Sequence, residues 1–208
     1  MSNWTGLRDR KKQETRQAIS NVATRLFVER GFDNVSVTEV AQEANVARKT
    51  VFNYFPRKED LVFDREEEGR ALVREALSGR GGQSPVGAFQ ALMRGLAERQ
   101  HPLFRISERS AGFWRTVAES PALAARAREL QVTLADDLAA MLAGAAGRAQ
   151  ADPEARLAAA MLMAALVVAY GAALRAFREN KKPEPAFMSL MERGFAGVDA
   201  ALAGTPYV

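Results

Sequence analysis

The stretch 36–55 contains two short apolar patterns of helical spacing that are separated by only a few residues. Ser36 and Glu39 have the spacing of a capping box, in which a hydroxyl and a carboxylate satisfy free amides at a helix start. Asn45 stands between the two patterns and suits a tight turn, because Asn tolerates positive φ. Pro56 follows the second pattern, and helices usually end before a proline. The stretch therefore predicts two short helices joined by a turn.

A longer amphipathic helix is predicted before this pair, at 11–30. Its apolar residues recur at helical spacing, at Ile19, Val22, Ala23, Leu26 and Phe27. Gly31 follows where a left-handed cap is expected. A long helix followed by two short ones with a tight turn between them is a helix-turn-helix unit. We expect this DNA-binding domain at 10–56, with its helix-turn-helix motif at about 36–55.

The rest of the chain also predicts helices, at 57–78, 85–99, 102–118, 121–146, 153–180 and 185–203. Ser84, Ser120 and Asp152 each place a capping residue before a proline in the first helical turn. No stretch shows the sustained alternation of apolar and polar residues that marks strands. The sequence therefore predicts an all-α fold, with the amino-terminal three-helix domain followed by a larger helical domain at 57–208.

Composition argues against an enzyme. The 208 residues include no cysteine and one histidine, which excludes disulfides and thiolate metal sites and disfavours most histidine-based catalysis. The sequence contains neither a glycine-rich phosphate loop nor a nucleophile elbow. The carboxylate runs at 66–68 and 136–137 diverge around a helix and read as solvated faces. We expect no enzymatic activity, no metal and no cofactor, and a cytoplasmic location.

The net charge of +4 is concentrated near the amino terminus. Residues 1–60 hold 11 basic and 8 acidic residues, a net charge of +3. The basic residues cluster between Arg8 and Arg16, at 48–49 and at 57–58. Such clusters at the edges of short helices suit contact with phosphates, although the first cluster could instead be a solvated start of the first helix.

The third helix has one face that is predicted to point away from the core. Val51 and Phe55 are four residues apart and should face inward together. The side chains that then project outward are the types that read groove edges and hold phosphates, namely Arg48, Lys49, Thr50, Asn53 and Tyr54.

Between residues 16 and 61 one order of residues is highly specific. It runs through Ala23-x-x-Leu26-Phe27-x-x-x-Gly31-Phe32, Ser36-Val37-x-Glu39-Val40-Ala41-x-x-Ala44, Val46, Thr50-Val51-Phe52-x-Tyr54-Phe55 and Lys58-Glu59-x-Leu61. This order resembles the DNA-binding domain of the TetR family of transcriptional regulators. The resemblance implies a homodimer that binds a pseudo-palindromic operator in double-stranded DNA and is released by a small molecule, hence a repressor. An activator and an effector-independent architectural DNA-binding protein remain as alternatives.

The resemblance also implies residue roles. The implied DNA contacts are Ser36, Thr38, Arg48, Lys49, Thr50, Phe52, Asn53, Tyr54 and Lys58. Ser36 would cap its helix and touch a phosphate, and Lys58 would touch a phosphate. Phe52 stands where the family usually has a tyrosine, so it keeps an apolar contact, for example with a thymine methyl, but has no hydroxyl. The alternative for Phe52 is core packing.

By the same resemblance the domain at 57–208 binds the effector and forms the dimer through its last two helices. The run 157–174 carries no charge and is apolar on nearly every face, which favours a buried helix over the alternative of a membrane span. We expect no membrane partner. The candidate dimer residues are Ala165, Ala169, Ala172, Phe187, Leu190, Met191, Gly194 and Val198. The alternative for them is a core within one chain.

The effector is expected to be largely apolar, because ligand pockets are lined mostly by apolar and aromatic side chains. The candidate ligand residues are Phe89, Met93, Phe104, Phe113, Trp114, Met161 and Tyr170. Most of such a set would be ordinary core, and Trp114 and Tyr170 are the best individual candidates because their polar tips need partners when buried. Arg105, Arg109 and Arg115 could anchor an anionic group or lie on the surface.

Overall fold

The computed structural model describes residues 3–208, and their side chains from Arg10 onward, so the side chain of Arg8 lies outside the described part. The described residues form helices and no strand, which confirms the all-α prediction. The elements are α1 (Asn3–Arg30), α2 (Val37–Glu43), α3 (Arg48–Tyr54), a short 3₁₀ helix (Glu59–Leu61), α4 (Glu66–Ser78), α5 (Pro85–Glu98), α6 (Glu108–Glu119), α7 (Pro121–Ala145), α8 (Pro153–Arg178) and α9 (Pro183–Ala201).

The local signals around α2 are confirmed. The Ser36 hydroxyl accepts a hydrogen bond from the Glu39 amide at 3.2 Å, and the Glu39 carboxylate accepts one from the Ser36 amide at 2.8 Å. Asn45 has a φ of +52° and Gly31 a φ of +84°, so both adopt the left-handed conformation that their turns require. These contacts depend on neighbours in the sequence, which is why the sequence predicts them.

The helices predicted to begin at Pro85, Pro121 and Pro153 begin at those residues. Ser84 caps α5 by accepting from the Gly87 amide at 3.1 Å, and Asp152 caps α8 by accepting from the Glu154 amide at 2.9 Å. Helix α9 begins at Pro183, two residues before the predicted start.

Two predicted helices are shorter in the structure. The predicted helix 57–78 is interrupted, because the 3₁₀ helix ends at Leu61 and α4 begins only at Glu66. Leu61 is fully buried and its carbonyl accepts a hydrogen bond from the Ser20 hydroxyl at 3.1 Å, so tertiary contacts hold the chain away from a helical path. The predicted helix 102–118 begins only at Glu108. Ser107, the residue before it, caps the helix by accepting a hydrogen bond at 3.4 Å from the Ser110 amide.

The chain divides into two compact units. The first unit runs through Asp64 and includes Gly112–Ala127, and the second comprises Arg65–Ala111 and Arg128–Val208. The boundary predicted at residue 56 therefore differs from the observed division. Residues 57–64 join the first unit because Leu61 and Val62 are part of its core.

The core of the first unit combines three regions of the sequence. It contains Ile19, Ala23, Leu26, Phe27, Phe32, Val35, Val40, Ala41, Val51, Phe55, Leu61, Val62, Val117 and Leu123. Phe113 and Trp114 pack against this cluster, and the Arg126 guanidinium binds the Asp60 carboxylate at 2.9 Å. Residues from α6 and the start of α7 therefore complete the hydrophobic core of the helix-turn-helix unit.

Helices α8 and α9 pack tightly against each other within the second unit. A Cβ at Gly194 would collide with the Cβ of Ala165, so the two backbones approach closely at this point. Arg94 on α5 binds Glu192 on α9 through two hydrogen bonds, at 2.7 and 2.8 Å, which raises the pKa of Arg94 and lowers that of Glu192. These contacts fix the positions of both helices.

Helix α8 is apolar and long enough to cross a membrane by length and composition, with a mean hydropathy of 2.2 over its most apolar window. Buried core helices of proteins that do not span a membrane meet the same criteria of length and composition. Eight residues of α8, beginning with Ala155 and ending with Ala176, are buried within the chain. Burial of this kind favours a core helix.

Candidate nucleic-acid interface

Helix α3 has a buried side and an exposed side. Val51 is fully buried, and Phe55, which follows the helix, is 1% exposed. At 100° per residue, positions 49 and 53 lie opposite this buried pair, position 52 lies to one side, and position 48, in the first turn, lies nearer the buried side. The side chains at these four positions are exposed, namely Arg48, Lys49, Phe52 and Asn53. Thr50 and Tyr54 lie at the edge of this surface and are half-buried. We call the four exposed side chains the α3 face.

The cations of the α3 face are not neutralised by the described part of the protein. Neither Arg48 nor Lys49 lies within ion-pair distance of a described carboxylate. By contrast, Arg25 of α1 lies 2.6 Å from Glu43 and 3.6 Å from Glu29. The uncompensated positive charge is therefore on the exposed surface of α3.

Phe52 contributes an aromatic ring to this charged surface. Its side chain is 39% exposed, and the Arg48 guanidinium lies 5.4 Å from the centre of its ring. The alternative of core packing for Phe52 is therefore wrong. The stacking of a guanidinium on an aromatic ring is a favourable cation–π contact.

Ser36 and Thr38 lie on the surface at the start of α2. The hydroxyl of Ser36 already accepts the capping hydrogen bond, but its own proton can still be donated to a phosphate oxygen. The backbone of Tyr54 is held by Arg16, which donates to the Tyr54 carbonyl at 2.9 Å and stacks on the ring of Phe55 at 4.4 Å. These contacts fix the end of α3 against α1.

Lys58 has a structural role that the sequence did not reveal. Its ammonium donates a hydrogen bond to the Phe32 carbonyl at 2.6 Å and lies 4.2 Å from the centre of the Phe32 ring. Burial lowers the pKa of Lys58, and the carboxylates of Asp33, Glu59 and Glu39 oppose that shift. An ammonium has three donors, so one of them can still reach a phosphate. The phosphate contact of Lys58 stays a prediction.

The candidate dimer residues are divided between the interior and the edge of the second unit. Four of them are buried within the single chain, with exposures of 0–4%, namely Ala169, Phe187, Met191 and Val198. The others are half-buried, namely Ala165, Ala172, Leu190 and Gly194. For the four buried residues the intramolecular alternative describes the structure, because no side-chain surface remains for a partner. The interface prediction is revised accordingly.

A different stripe of α8 is exposed. It consists of Leu157, Ala160, Ala164, Val167, Val168 and Gly171, which recur at intervals of three or four residues. Val168 is 59% exposed and Val167 47% exposed. On α9 the exposed positions with the same spacing are Ser189, Arg193, Ala196, Gly197 and Ala200. We call these two rows together the α8–α9 face. A helix that is apolar on all sides gives no sequence signal for which side is exposed.

The candidate ligand residues are divided between the two units. Phe113 and Trp114 belong to the first unit, where their rings meet edge to face at 5.2 Å. Phe89 and Met93 are buried in α5, whereas Met161 and Tyr170 are half-buried in α8.

Phe104 lines a small, open cleft in the second unit, with a cavity volume of about 20 Å³. Its walls also include Arg105, Ile106, Ala173, Glu184 and Phe187. The rings of Phe104 and Phe187 lie 5.7 Å apart. The cleft is therefore largely apolar, with the side chains of one basic and one acidic residue in its lining.

The capped α2, the left-handed turn at Asn45 and the outward α3 face define a helix-turn-helix DNA-binding domain. Residues 19–64 match the family model for bacterial regulatory proteins of the tetR family. The HTH-type transcriptional regulator TcmR of Streptomyces glaucescens is 30% identical over 96 residues, which cover 44% of this chain and 42% of TcmR. The helix-turn-helix domain belongs to the TetR family, which confirms the resemblance seen in the sequence.

Solved structures extend the likeness beyond the first unit. The secondary repressor NalD of Pseudomonas aeruginosa superposes with a TM-score of 0.60 at 21% identity, over 89% of this chain and 96% of NalD, which shows a shared fold. FadR of Thermus thermophilus, a TetR-family transcriptional repressor solved with lauroyl-CoA, gives a TM-score of 0.54 at 26% identity over 88% of this chain and 94% of FadR. The part of this chain that matches the curated relatives spans only about a quarter to two fifths of their length.

Proposed function

We propose that this protein is a ligand-responsive transcriptional repressor that binds a pseudo-palindromic operator as a homodimer. The observation that carries the proposal is the α3 face, where Arg48 and Lys49 have no described carboxylate partner and Asn53 and Phe52 lie beside them. Arginine and lysine read guanine, asparagine reads adenine, and an aromatic ring contacts a thymine methyl. The α3 face therefore has the chemistry for a major groove.

A single α3 face gives too little specificity. Each good bidentate contact discriminates by about 1–3 kcal/mol, which is small against the number of competing sites in a genome. Two faces related by a twofold axis and separated by about 34–36 Å would read two half-sites one helical turn apart. Dimerisation is therefore part of the proposal.

The α8–α9 face is the proposed dimer contact, and its occupant is a second copy of this chain. Large contiguous apolar patches are rare on monomers and mark interaction surfaces. The small side chains of Ala160, Ala164 and Gly171 on α8 would let helices of two copies approach closely. The same face on both copies satisfies the requirement of a twofold contact, in which one patch meets itself.

The effector is proposed to be a small, largely apolar molecule that binds in the second unit. The apolar lining at Phe104 and Phe187 has the chemistry for such a ligand, and Arg105 in the lining offers a partner for an anionic group. The cleft of about 20 Å³ would have to widen to admit the molecule. FadR, at 26% identity, was solved with lauroyl-CoA, an acyl thioester that joins an apolar chain to a polar, anionic head. The chain passes between the two units after Asp64, Ala111 and Ala127.

Regulation then requires a population shift. A ligand releases the operator only if it binds the released state more tightly than the operator-bound state. A coupling of about 1–3 kcal/mol would change the operator affinity about 5- to 150-fold. FadR is a repressor, which supports this sign over that of an activator. The relatives are transcriptional regulators, so no enzymatic activity is proposed, and the protein would act in the cytoplasm.

Selection of duplexes from a random-sequence pool tests the proposal. The wild type should enrich a twofold-symmetric motif, and Asn53→Ala should relax the preference at one position in each half-site by about 1–3 kcal/mol. Arg25→Ala is the matched control, because Arg25 is exposed but already paired with Glu43. Retention of DNA without any sequence preference would instead indicate an architectural protein.

A further inference from the structure

The pair formed by Arg48 and Phe52 is unusual among the described surface residues. Phe52 is the one aromatic side chain among the exposed large apolar residues of the described part, and it lies within a charged surface. The guanidinium carbon of Arg48 lies 5.4 Å from the centre of its ring. The two side chains belong to the same exposed row of α3, one helical turn apart.

Stacking restricts where each group can point. A guanidinium that lies against a ring keeps its N–H groups at the edge of the stack, where they remain free for a bidentate acceptor. The acceptor that matches this fork in the major groove is the O6 and N7 pair of guanine. The ring of Phe52 lies on the C-terminal side of Arg48 along the helix, so it would meet a neighbouring base pair.

Phe52 can report only one chemical feature of that neighbouring base. A phenyl ring has no hydrogen-bond donor or acceptor, so it is insensitive to the polar pattern of the base edge. Its apolar surface gains from contact with the 5-methyl group of a pyrimidine. The ring would therefore accept thymine or 5-methylcytosine and disfavour uracil or cytosine.

We propose that Arg48 and Phe52 act together as a specificity unit that reads a guanine and the 5-methyl group of a pyrimidine on the adjacent base pair. The inference rests on the proposed function and sharpens it from DNA in general to one dinucleotide feature in each half-site. It also makes binding sensitive to cytosine methylation at that position.

Removal of single methyl groups from the selected operator tests the inference. Each thymine is replaced by uracil in turn, and affinity is measured by fluorescence anisotropy. At one position in each half-site, beside the guanine read by Arg48, the change from thymine to uracil should weaken binding about fourfold. This factor corresponds to about 0.8 kcal/mol, the contribution of one buried methyl group. Changing both half-sites should cost about sixteenfold. Cytosine and 5-methylcytosine at the same position should differ in the same direction.

Protein variants assign the effect to the pair. Phe52→Ala should bind the thymine and uracil operators equally, and because Phe52 is exposed the helical content should not change. Arg48→Lys keeps the charge but loses the planar stack, so it should lower both the guanine preference and the thymine-to-uracil ratio. Lys49→Ala is the matched control: it should weaken binding but retain that ratio.

Two results would overturn the inference alone: equal affinity of the wild type for thymine and uracil at every position, or an unchanged ratio in Phe52→Ala. A wild type that selects no sequence would overturn the proposed function, and the inference with it. The two failures are thus distinguishable.

Discussion

Replacing Val168 with arginine is expected to convert the proposed dimer to monomers. Val168 is 59% exposed in the single chain and belongs to the exposed row of α8, so its replacement should not disturb the fold of one chain. In a dimer through the α8–α9 face, two guanidinium groups would be buried without partners. An uncompensated buried charge costs about 3–5 kcal/mol, so the dimer dissociation constant should rise roughly 10²-fold or more.

Sedimentation equilibrium across a range of protein concentrations measures this effect. Val132→Arg is the matched control, because Val132 on α7 is 63% exposed and lies outside the α8–α9 face. Val132→Arg should remain dimeric, and Val168→Arg should lose operator affinity together with the dimer. A Val168→Arg protein with the wild-type dimer constant would show that the two copies meet elsewhere.

The second large effect is expected at Leu123, far in sequence from the helix-turn-helix motif. Leu123 has no exposed surface and belongs to the core cluster of the first unit. Leu123→Ala should lower the free energy of unfolding of this unit by about 2–5 kcal/mol, because it removes buried apolar surface and leaves a cavity. That is a large fraction of the total stability of about 5–15 kcal/mol that is usual for a domain.

Urea denaturation followed by Trp114 fluorescence reports on the first unit, provided that Trp4 is replaced by phenylalanine in all variants. Val132→Ala, an exposed change on the same helix, should leave the unfolding midpoint unchanged. Operator binding by Leu123→Ala should fail at a lower urea concentration than in the wild type. An unchanged midpoint would mean that residues 112–127 do not support the DNA-binding unit.

Features that depend on neighbouring residues were predictable from the sequence. The capping box at Ser36 and Glu39 and the left-handed turns at Gly31 and Asn45 are determined by side chains within a few positions, and the structure confirms them. The inward direction of Val51 and Phe55 follows from helical spacing alone. Arg48, Lys49 and Asn53 of the α3 face were therefore predicted to point outward, whereas Thr50 and Tyr54, which were predicted with them, are half-buried.

Features that depend on distant contacts were not predictable. The interruption between the 3₁₀ helix and α4 follows from the hydrogen bond between Ser20 and the Leu61 carbonyl, 41 positions apart. The ammonium of Lys58 is directed toward the Phe32 carbonyl by packing against two rings, which spacing cannot show. Helix α8 has apolar residues on every side, so its sequence could not predict which row of residues is exposed.

In the proposed complex, two α3 faces joined through a dimer read two half-sites about one helical turn apart. The most direct test compares wild-type affinity for the selected operator with affinity for the same operator carrying five extra base pairs between the half-sites. The insertion rotates one half-site by about half a turn, since B-DNA has about 10–10.5 base pairs per turn. The affinity should fall to the level of a single half-site, whereas equal affinity for the two operators would show that the two α3 faces do not bind at this spacing.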